Sequence, residues 1–170
     1  MLNPSKKFLF ISIIFTILAV ALNAFIIYQS CLGSGESTSW SEPVAEAAAT
    51  VINTIKPETI TPVNMPDFSA FIRKAIGHYG LFGLDGIITT NAFIFTFTGT
   101  KIYEKYKLIW ISLVVGVFVA FLTEFIQLYT PGRSGEITDA LIDSSGYLTS
   151  FILILITIYI FKKNTKKLAE

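Results

Sequence analysis

Four long apolar runs divide the chain into alternating apolar and polar stretches. The runs extend over Phe8–Tyr28, Tyr79–Thr98, Leu108–Tyr129 and Ala140–Phe161. Each reaches roughly the 20 residues that an α-helix needs to cross about 30 Å of hydrocarbon. Because hydrocarbon leaves unpaired backbone groups without partners, spanning segments of this length fold as helices. The pattern predicts an all-α, polytopic membrane protein with four transmembrane helices.

Composition agrees with this prediction. Of the 170 residues, 52% are hydrophobic and 15% are charged, and the mean hydropathy of +0.63 lies outside the range expected of a soluble domain. A second soluble domain does not fit between the spans. The net charge of +1 gives no basis for nucleic-acid binding, which needs a strongly basic surface.

The stretch between the first two runs is expected to be an extracytoplasmic loop with amphipathic helical segments. In "DFSAFIRKAIG", apolar residues from Phe68 to Ile76 recur at helical spacing, opposite Arg73 and Lys74, as in a helix lying on a membrane surface. The earlier "VAEAAATVINTIK" shows a looser version, for which an ordinary solvated helix fits nearly as well.

Basic residues predict the orientation of the spans. They cluster at one side of the alternating runs, as Lys6, Lys7, Lys101, Lys105, Lys107, Lys162, Lys163, Lys166 and Lys167. Because such clusters mark the cytoplasmic side, both termini are predicted to be cytoplasmic. The first run lacks a small-residue cleavage site, so we expect it to be an uncleaved helix rather than a secretory signal.

Ionisable residues are concentrated in "TEFIQLYTPGRSGEITDALIDSSG", beside and inside the apolar runs. In the third run, Glu124 and Gln127 continue a stripe that begins with Gly116 and Ala120. Small residues of this kind let helices approach closely inside a membrane bundle. The stripe therefore predicts an inward helix face, with its polar groups near the outer surface.

The fourth run repeats this arrangement. Asp139, Asp143, Gly146 and Ser150 fall on one helical face. Between the two runs, Pro131 and Gly132 occupy the positions that a type II turn favours. That turn would deliver Arg133 to the mouth of the bundle.

The second run contributes the remaining polar groups. His78 shares one helical side with Asp85 and Thr89, and Arg73 and Lys74 directly precede it. The topology brings the ends of three helices together at the outer surface. The predicted ligand-binding residues are Arg73, Lys74, His78, Glu124, Gln127, Arg133, Asp139 and Asp143.

These motifs resemble the VanZ-like family of small bacterial membrane proteins. The resemblance extends roughly over residues 73–161 and rests on "RKAIGH", on E-x-x-Q-x-x-x-P-G-R from Glu124 to Arg133, and on Asp139, Asp143 and Gly146. Asp143 stands where the family usually has Asn. The resemblance implies a multi-pass protein of the bacterial cell membrane, in a family whose eponymous member lowers susceptibility to teicoplanin, a lipid-bearing glycopeptide.

The chain is accordingly divided into four parts. Residues 1–28 form the cytoplasmic tip and the first helix, residues 29–72 the extracytoplasmic loop, residues 73–161 the VanZ-like domain with three helices, and residues 162–170 a basic cytoplasmic tail.

Two classes of function fit these residues, and binding is favoured. In the first, the outer site binds membrane lipid, a lipid-linked cell-wall intermediate or an amphiphilic glycopeptide, with Arg133 and Lys74 holding phosphate or carboxylate. In the second, an enzyme acts on a lipid head group, with His78, Glu124 and Asp143 as candidate catalytic residues, with or without a divalent ion. A third class, a bundle that modulates a larger envelope complex, stays open. The sequence shows no metal-ligand spacing such as H-E-x-x-H and implies no cofactor.

Each acidic residue also has a purely structural interpretation. Asp139 could complement a helix dipole. Glu124 and Asp143, which lie within spans, require a partner or a function because charge in a membrane is costly. Their structural role would be an ion pair with Arg133 or Lys74 that joins the helices.

The first testable prediction concerns orientation. Both termini and the loop from Lys101 to Lys107 should be cytoplasmic, with Trp40 and Arg133 outside. In whole cells carrying a Cys31→Ser background, an impermeant thiol reagent should label an Arg133→Cys variant and leave Lys105→Cys unlabelled. The reverse labelling pattern would overturn the orientation and the shared outer site.

Overall fold

The computed structural model describes residues 4–99 and 109–167. Within them it contains six α-helices and one π-helix. These are α1 (Pro4–Cys31), α2 (Ser34–Ile55), α3 (Met65–Ile72), the π-helix (Arg73–Gly80), α4 (Leu81–Gly99), α5 (Trp110–Gln127) and α6 (Ile137–Lys167). The predicted cytoplasmic loop from Lys101 to Lys107 lies outside the described residues.

The prediction of four membrane-spanning helices is confirmed. Four helical stretches are long and apolar enough to cross a membrane: Lys6–Cys31, Met65–Phe97, Trp110–Gln127 and Ile137–Asn164. Most of their exposed residues are large hydrophobics, as expected of side chains that face lipid. The protein is therefore a helical bundle whose outer surface suits a bilayer.

The spanning helices alternate in direction, which brings the functional segments to one end. At that end Thr130 donates a hydrogen bond to the Ser30 carbonyl at the end of α1, at 3.0 Å, and at the other end the Ser12 and Thr96 hydroxyls are 2.6 Å apart. We call the first the polar end; it comprises the end of α1, the π-helix, residues 128–136 and the start of α6. The beginning of α1 and the end of α6 lie opposite. Which end faces the cytoplasm stays a prediction.

The second span is part of a longer helical segment than the apolar pattern indicates. α3 leads directly into the π-helix and then into α4, and Ile72, Arg73 and Leu81 at the junctions all have right-handed helical dihedrals. The segment around Phe68 is helical, as predicted, but it continues into the span without a break. A π-helix changes the rotation per residue and is often found at functional sites. Here it carries Arg73, Lys74 and His78.

The loop between the first two spans is also mainly helical. α2 begins at Ser34, immediately after the end of α1, so the Gly/Ser-rich start of the loop is helical too. Ala45 and Ala49 are buried one helical turn apart, whereas Val51 and Ile55 are exposed. The small alanine face therefore packs against the rest of the protein, and the larger apolar residues point outward.

Small residues allow α6 to approach its neighbours closely, as the stripes predicted. A Cβ added to Gly116 would overlap the ring of Tyr147, and one added to Gly146 would collide with the Tyr79 carbonyl. At Gly86, an added Cβ would lie 2.8 Å from the Tyr147 carbonyl oxygen. Tyr147 itself is completely buried. Glycines on α4 and α5 therefore leave room for Tyr147, and a glycine on α6 leaves room for the backbone of Tyr79.

A polar cluster joins α1 to α4 in the span region. Asn23 donates a hydrogen bond to Asp85 at 2.7 Å, and Thr89 donates to the same carboxyl oxygen at 2.8 Å. Asp85 is completely buried. Both side chains that donate to Asp85 are neutral.

Replacing Gly146 by Ala should destabilise the bundle, because the methyl group would displace the Tyr79 backbone. Overpacking of this kind costs roughly 1–3 kcal/mol. The measurement is thermal unfolding in detergent. Gly35 is the matched control, because no atom lies within 4 Å of an added Cβ there, so Gly35→Ala should keep the wild-type midpoint or raise it slightly. Equal midpoints for the two variants would contradict the close approach.

Candidate functional site at the polar end

Seven of the eight predicted site residues lie in one network at the polar end. One part joins Lys74, His78, Asp139 and Asp143 across the π-helix and α6. The other joins Glu124, Gln127 and Arg133 across α5 and the following turn. The eighth residue, Arg73, is exposed but lines the same cavity as His78, Gln127, Arg133 and Asp143.

The π-helix and α6 are joined by ion pairs. Lys74 Nζ lies 2.5 Å from Asp139 Oδ1 and 3.5 Å from Glu136 Oε2. One turn further along, His78 Nδ1 lies 3.0 Å from Asp143 Oδ1, and His78 Nε2 lies 3.7 Å from Asp139 Oδ2. Asp139 therefore lies between Lys74 and His78. Because the mostly buried Asp139 carboxylate is on α6 and Lys74 is on the π-helix, their ion pair fixes the position of α6 relative to the π-helix.

Glu124 is held by hydrogen bonds rather than by an ion pair. Its carboxylate accepts one bond from the Gln127 side chain at 2.8 Å and one from the Glu136 backbone N–H at 2.9 Å. Gln127 Oε1 in turn accepts a bond from Arg133 Nε at 3.1 Å. Glu124 and Gln127 are both buried. The amide of Gln127 thus links Glu124 to Arg133.

Arg133 is positioned by the predicted type II turn. Gly132 has φ +72°, and the Arg133 N–H donates to the Thr130 carbonyl at 3.1 Å, as this turn requires. The predicted pairing of Glu124 or Asp143 with Arg133 or Lys74 is not found among the described residues. Lys74 forms its ion pairs with Asp139 and Glu136 instead. Arg133 forms none with a carboxylate of the described residues.

The guanidinium of Arg133 is incompletely satisfied. Its Nη1 atom is buried and has no hydrogen-bond partner in the described part of the chain. Burial lowers the pKa of Arg133, and the charge of Arg73 lowers it further, whereas Glu124 and Asp139 act in the opposite direction. Since a free guanidinium titrates far above neutral pH, Arg133 stays charged. A buried, charged donor without an acceptor is unfavourable unless a ligand supplies one.

A cavity of about 210 Å³ opens beside Arg133. Its polar wall includes Arg73, Arg133, His78 and Asp143. Most of the remaining surface is apolar and comes from α1, α2 and the second span: Phe25, Ile26, Val44, Ile72, Leu81 and Phe82. α1 and α2 also contribute the polar residues Gln29, Ser30, Ser37 and Ser41. The cavity thus has positively charged side chains, Arg73 and Arg133, on one side and an apolar surface on the other.

The sequence-based prediction missed two parts of this site. Glu136 contacts Lys74 and binds Glu124 through its backbone; its position just before α6 was the available signal. The walls from α1 and α2 were also missed, because Phe25 and Val44 have no chemical feature that separates them from other apolar residues.

Comparison with known proteins identifies the family. The sequence profile of the VanZ/LLP1 family matches residues 14–161, which is most of the chain. The chain belongs to the VanZ/LLP1 family. The matched range of this VanZ-family protein includes most of α1 and all of α2, and so extends well before the motifs that begin at Arg73. No curated protein and no solved structure matches the chain.

The ion pair between Lys74 and Asp139 should couple the π-helix to α6. Lys74→Met and Asp139→Asn should each lower the unfolding midpoint in detergent, because each removes the nearest ion-pair partner of the other group. The double variant should recover part of the loss, with a coupling energy of roughly 0.5–3 kcal/mol. Strictly additive effects would show that the two side chains act independently.

Proposed function

We propose that this VanZ-family membrane protein binds the anionic head group of an amphiphile at its polar end. The observation that carries the proposal is the buried Nη1 atom of Arg133, which has no hydrogen-bond partner among the described residues and lies beside a cavity with a mainly apolar surface. An oxygen of phosphate or carboxylate would satisfy this donor. A guanidinium suits such oxygens because it offers parallel donors.

The shape of the cavity supports an amphiphile rather than a free anion. Its volume of about 210 Å³ is below the roughly 300–1,000 Å³ of pockets that enclose a drug-sized ligand. The head group and the first part of a tail would therefore be held, and the rest of the tail would stay in the bilayer. The apolar wall, including Phe25 and Phe82, would contact that first part.

Three kinds of ligand have this chemistry: an anionic membrane lipid, a lipid-linked cell-wall intermediate and a lipoglycopeptide of the teicoplanin type. All three are encountered at the outer surface of a bacterial cell membrane, and the lysine pattern predicts that the polar end lies on that side. Binding there would shield or sequester the ligand. A role in the cell envelope, including lowered susceptibility to such an antibiotic, would follow from that binding.

A second candidate function is acid/base catalysis on a lipid head group. It is favoured by the 3.0 Å contact between His78 Nδ1 and Asp143 Oδ1 and by the nearby Glu124. Asp139 on the opposite side of the ring would orient the imidazole, as a general base requires. Catalysis predicts chemical turnover of a labelled lipid, whereas binding alone predicts saturable protection.

Replacing Arg133 by Ala should weaken binding of an anionic lipid by about tenfold or more, because a charge-assisted hydrogen bond contributes about 1.5–3 kcal/mol. The measurement is the binding of phosphatidylglycerol to the purified protein in phosphatidylcholine nanodiscs. Arg133→Lys should also bind more weakly than wild type, since an ammonium lacks the planar fork.

Lys56→Ala is the control, because Lys56 is an exposed cation that does not line the cavity. It should bind phosphatidylglycerol like the wild type. The proposal fails if Arg133→Ala and Lys56→Ala bind alike while both remain folded. If phosphatidylglycerol binds as expected, competition by a lipid-linked intermediate and by teicoplanin would show which of the three ligand classes binds most tightly.

A further inference from the structure

Two buried carboxylates at the polar end have little positive charge to balance them. Lys74 pairs with Asp139 and Glu136, and Arg133 bonds the Gln127 amide. Glu124 is 6% exposed and Asp143 is 1% exposed. Among the described residues, neither carboxylate forms a salt bridge with a lysine or an arginine, and Asp143 lies 3.0 Å from the imidazole of His78. Buried carboxylates are expected to be paired or to coordinate a metal.

The three groups are arranged as metal ligands would be. One ligand atom each from His78, Glu124 and Asp143 lies within 4.8 Å of the other two. Metal bonds of about 2.0–2.2 Å place neighbouring ligand atoms about 3.0–3.5 Å apart. His78 Nδ1 and Asp143 Oδ1 already have a separation of 3.0 Å. Small side-chain rotations would bring in the Glu124 carboxylate.

We propose that His78, Glu124 and Asp143 bind one divalent transition-metal ion at the polar end. Each ligand comes from a different helical segment: the π-helix, α5 and α6. The three ligands are therefore far apart in the sequence, so no motif with a fixed short spacing contains them. The site does not depend on the proposed amphiphile, because its ligands all belong to the protein.

The surroundings support all three ligands. His78 Nε2 faces Asp139 at 3.7 Å, and Asp139 is held by Lys74. A carboxylate behind a metal-bound histidine fixes its ring and its protonation state. Glu124 is oriented by the Gln127 side chain and by the Glu136 N–H. These contacts would leave Nδ1 of His78 directed at the metal.

The ligand set indicates which ion would bind. One imidazole nitrogen with two carboxylates suits Zn²⁺ or Mn²⁺, whereas Ca²⁺ and Mg²⁺ prefer oxygen ligands alone. Three protein ligands leave at least one coordination position open, as in catalytic metal sites. His78 and Asp143 line the cavity beside Arg133. An anionic oxygen in that cavity could therefore bind the metal and Arg133 together.

The test uses the full-length protein in detergent, stripped with a chelator, and titrated with Zn²⁺ and Mn²⁺ separately. We expect one of these ions to bind at one equivalent per chain, measured by elemental analysis after desalting, and to raise the unfolding midpoint. Asp143→Asn and Glu124→Gln should weaken binding at least tenfold. Asp67→Asn removes an exposed carboxylate of α3 and should bind like the wild type.

Wild-type protein that retains no stoichiometric ion would overturn the proposal, whatever the variants do. Equal binding by wild type and a folded Asp143→Asn or Glu124→Gln variant would also overturn it. Arg133→Ala should keep the metal while losing the amphiphile. The two proposals therefore have separate readouts. Wild type that binds phosphatidylglycerol but no metal would refute the metal site alone, and wild type that binds metal but no phosphatidylglycerol would refute the proposed function alone.

Discussion

The contacts of Lys74 and His78 with α6 depend on how closely α6 approaches the second span and α5. Gly86 and Gly116 leave room for Tyr147, which is completely buried, and Gly146 leaves room for the Tyr79 backbone. Inside a membrane the hydrophobic effect does not drive helices together, so packing at small residues has to hold them. With a larger residue at these positions, Asp143 would no longer reach His78, and Glu124 would lie farther from both.

The two cations Lys74 and Arg133 at the polar end have different roles. Lys74 is paired with acids on α6 and holds two helical segments together. Arg133 is held by an amide and keeps a buried donor that has no partner within residues 4–99 and 109–167. An amide can orient a guanidinium without neutralising it, which leaves the charge available to a ligand. Gln127 is therefore a better neighbour for a binding arginine than a carboxylate would be.

Local sequence patterns were sufficient to predict the spans, the inward stripes and the turn at Gly132. Each of these depends on residues close together in the chain: about 20 apolar residues, glycines at helical spacing, or Pro before Gly. The contacts of Lys74 with Asp139 and of His78 with Asp143 could not be predicted as pairs. They join segments more than sixty residues apart and depend on the rotation that the π-helix introduces.

The π-helix itself has no comparable local signal, because its backbone pattern is set by what it packs against. The same reason explains why the cavity wall from α2 was missed. An apolar residue such as Val44 lines the cavity only because of where α2 lies in the fold, and the sequence does not indicate this. The polar residues of the site can thus be predicted from the sequence, whereas the apolar wall of the cavity can be identified only from the structure.

The hydrogen bond from Asn23 to Asp85 bears on how the chain enters the membrane. Asp85 lies in the second span to be synthesised, and its partner lies in the first. Both are present before α5 and α6 leave the ribosome. A carboxyl group alone in lipid is costly, but Asp85 finds its neutral partner already within the bilayer. The first two spans can therefore insert as a pair. They need not wait for α5 and α6, which carry most of the acidic residues at the polar end.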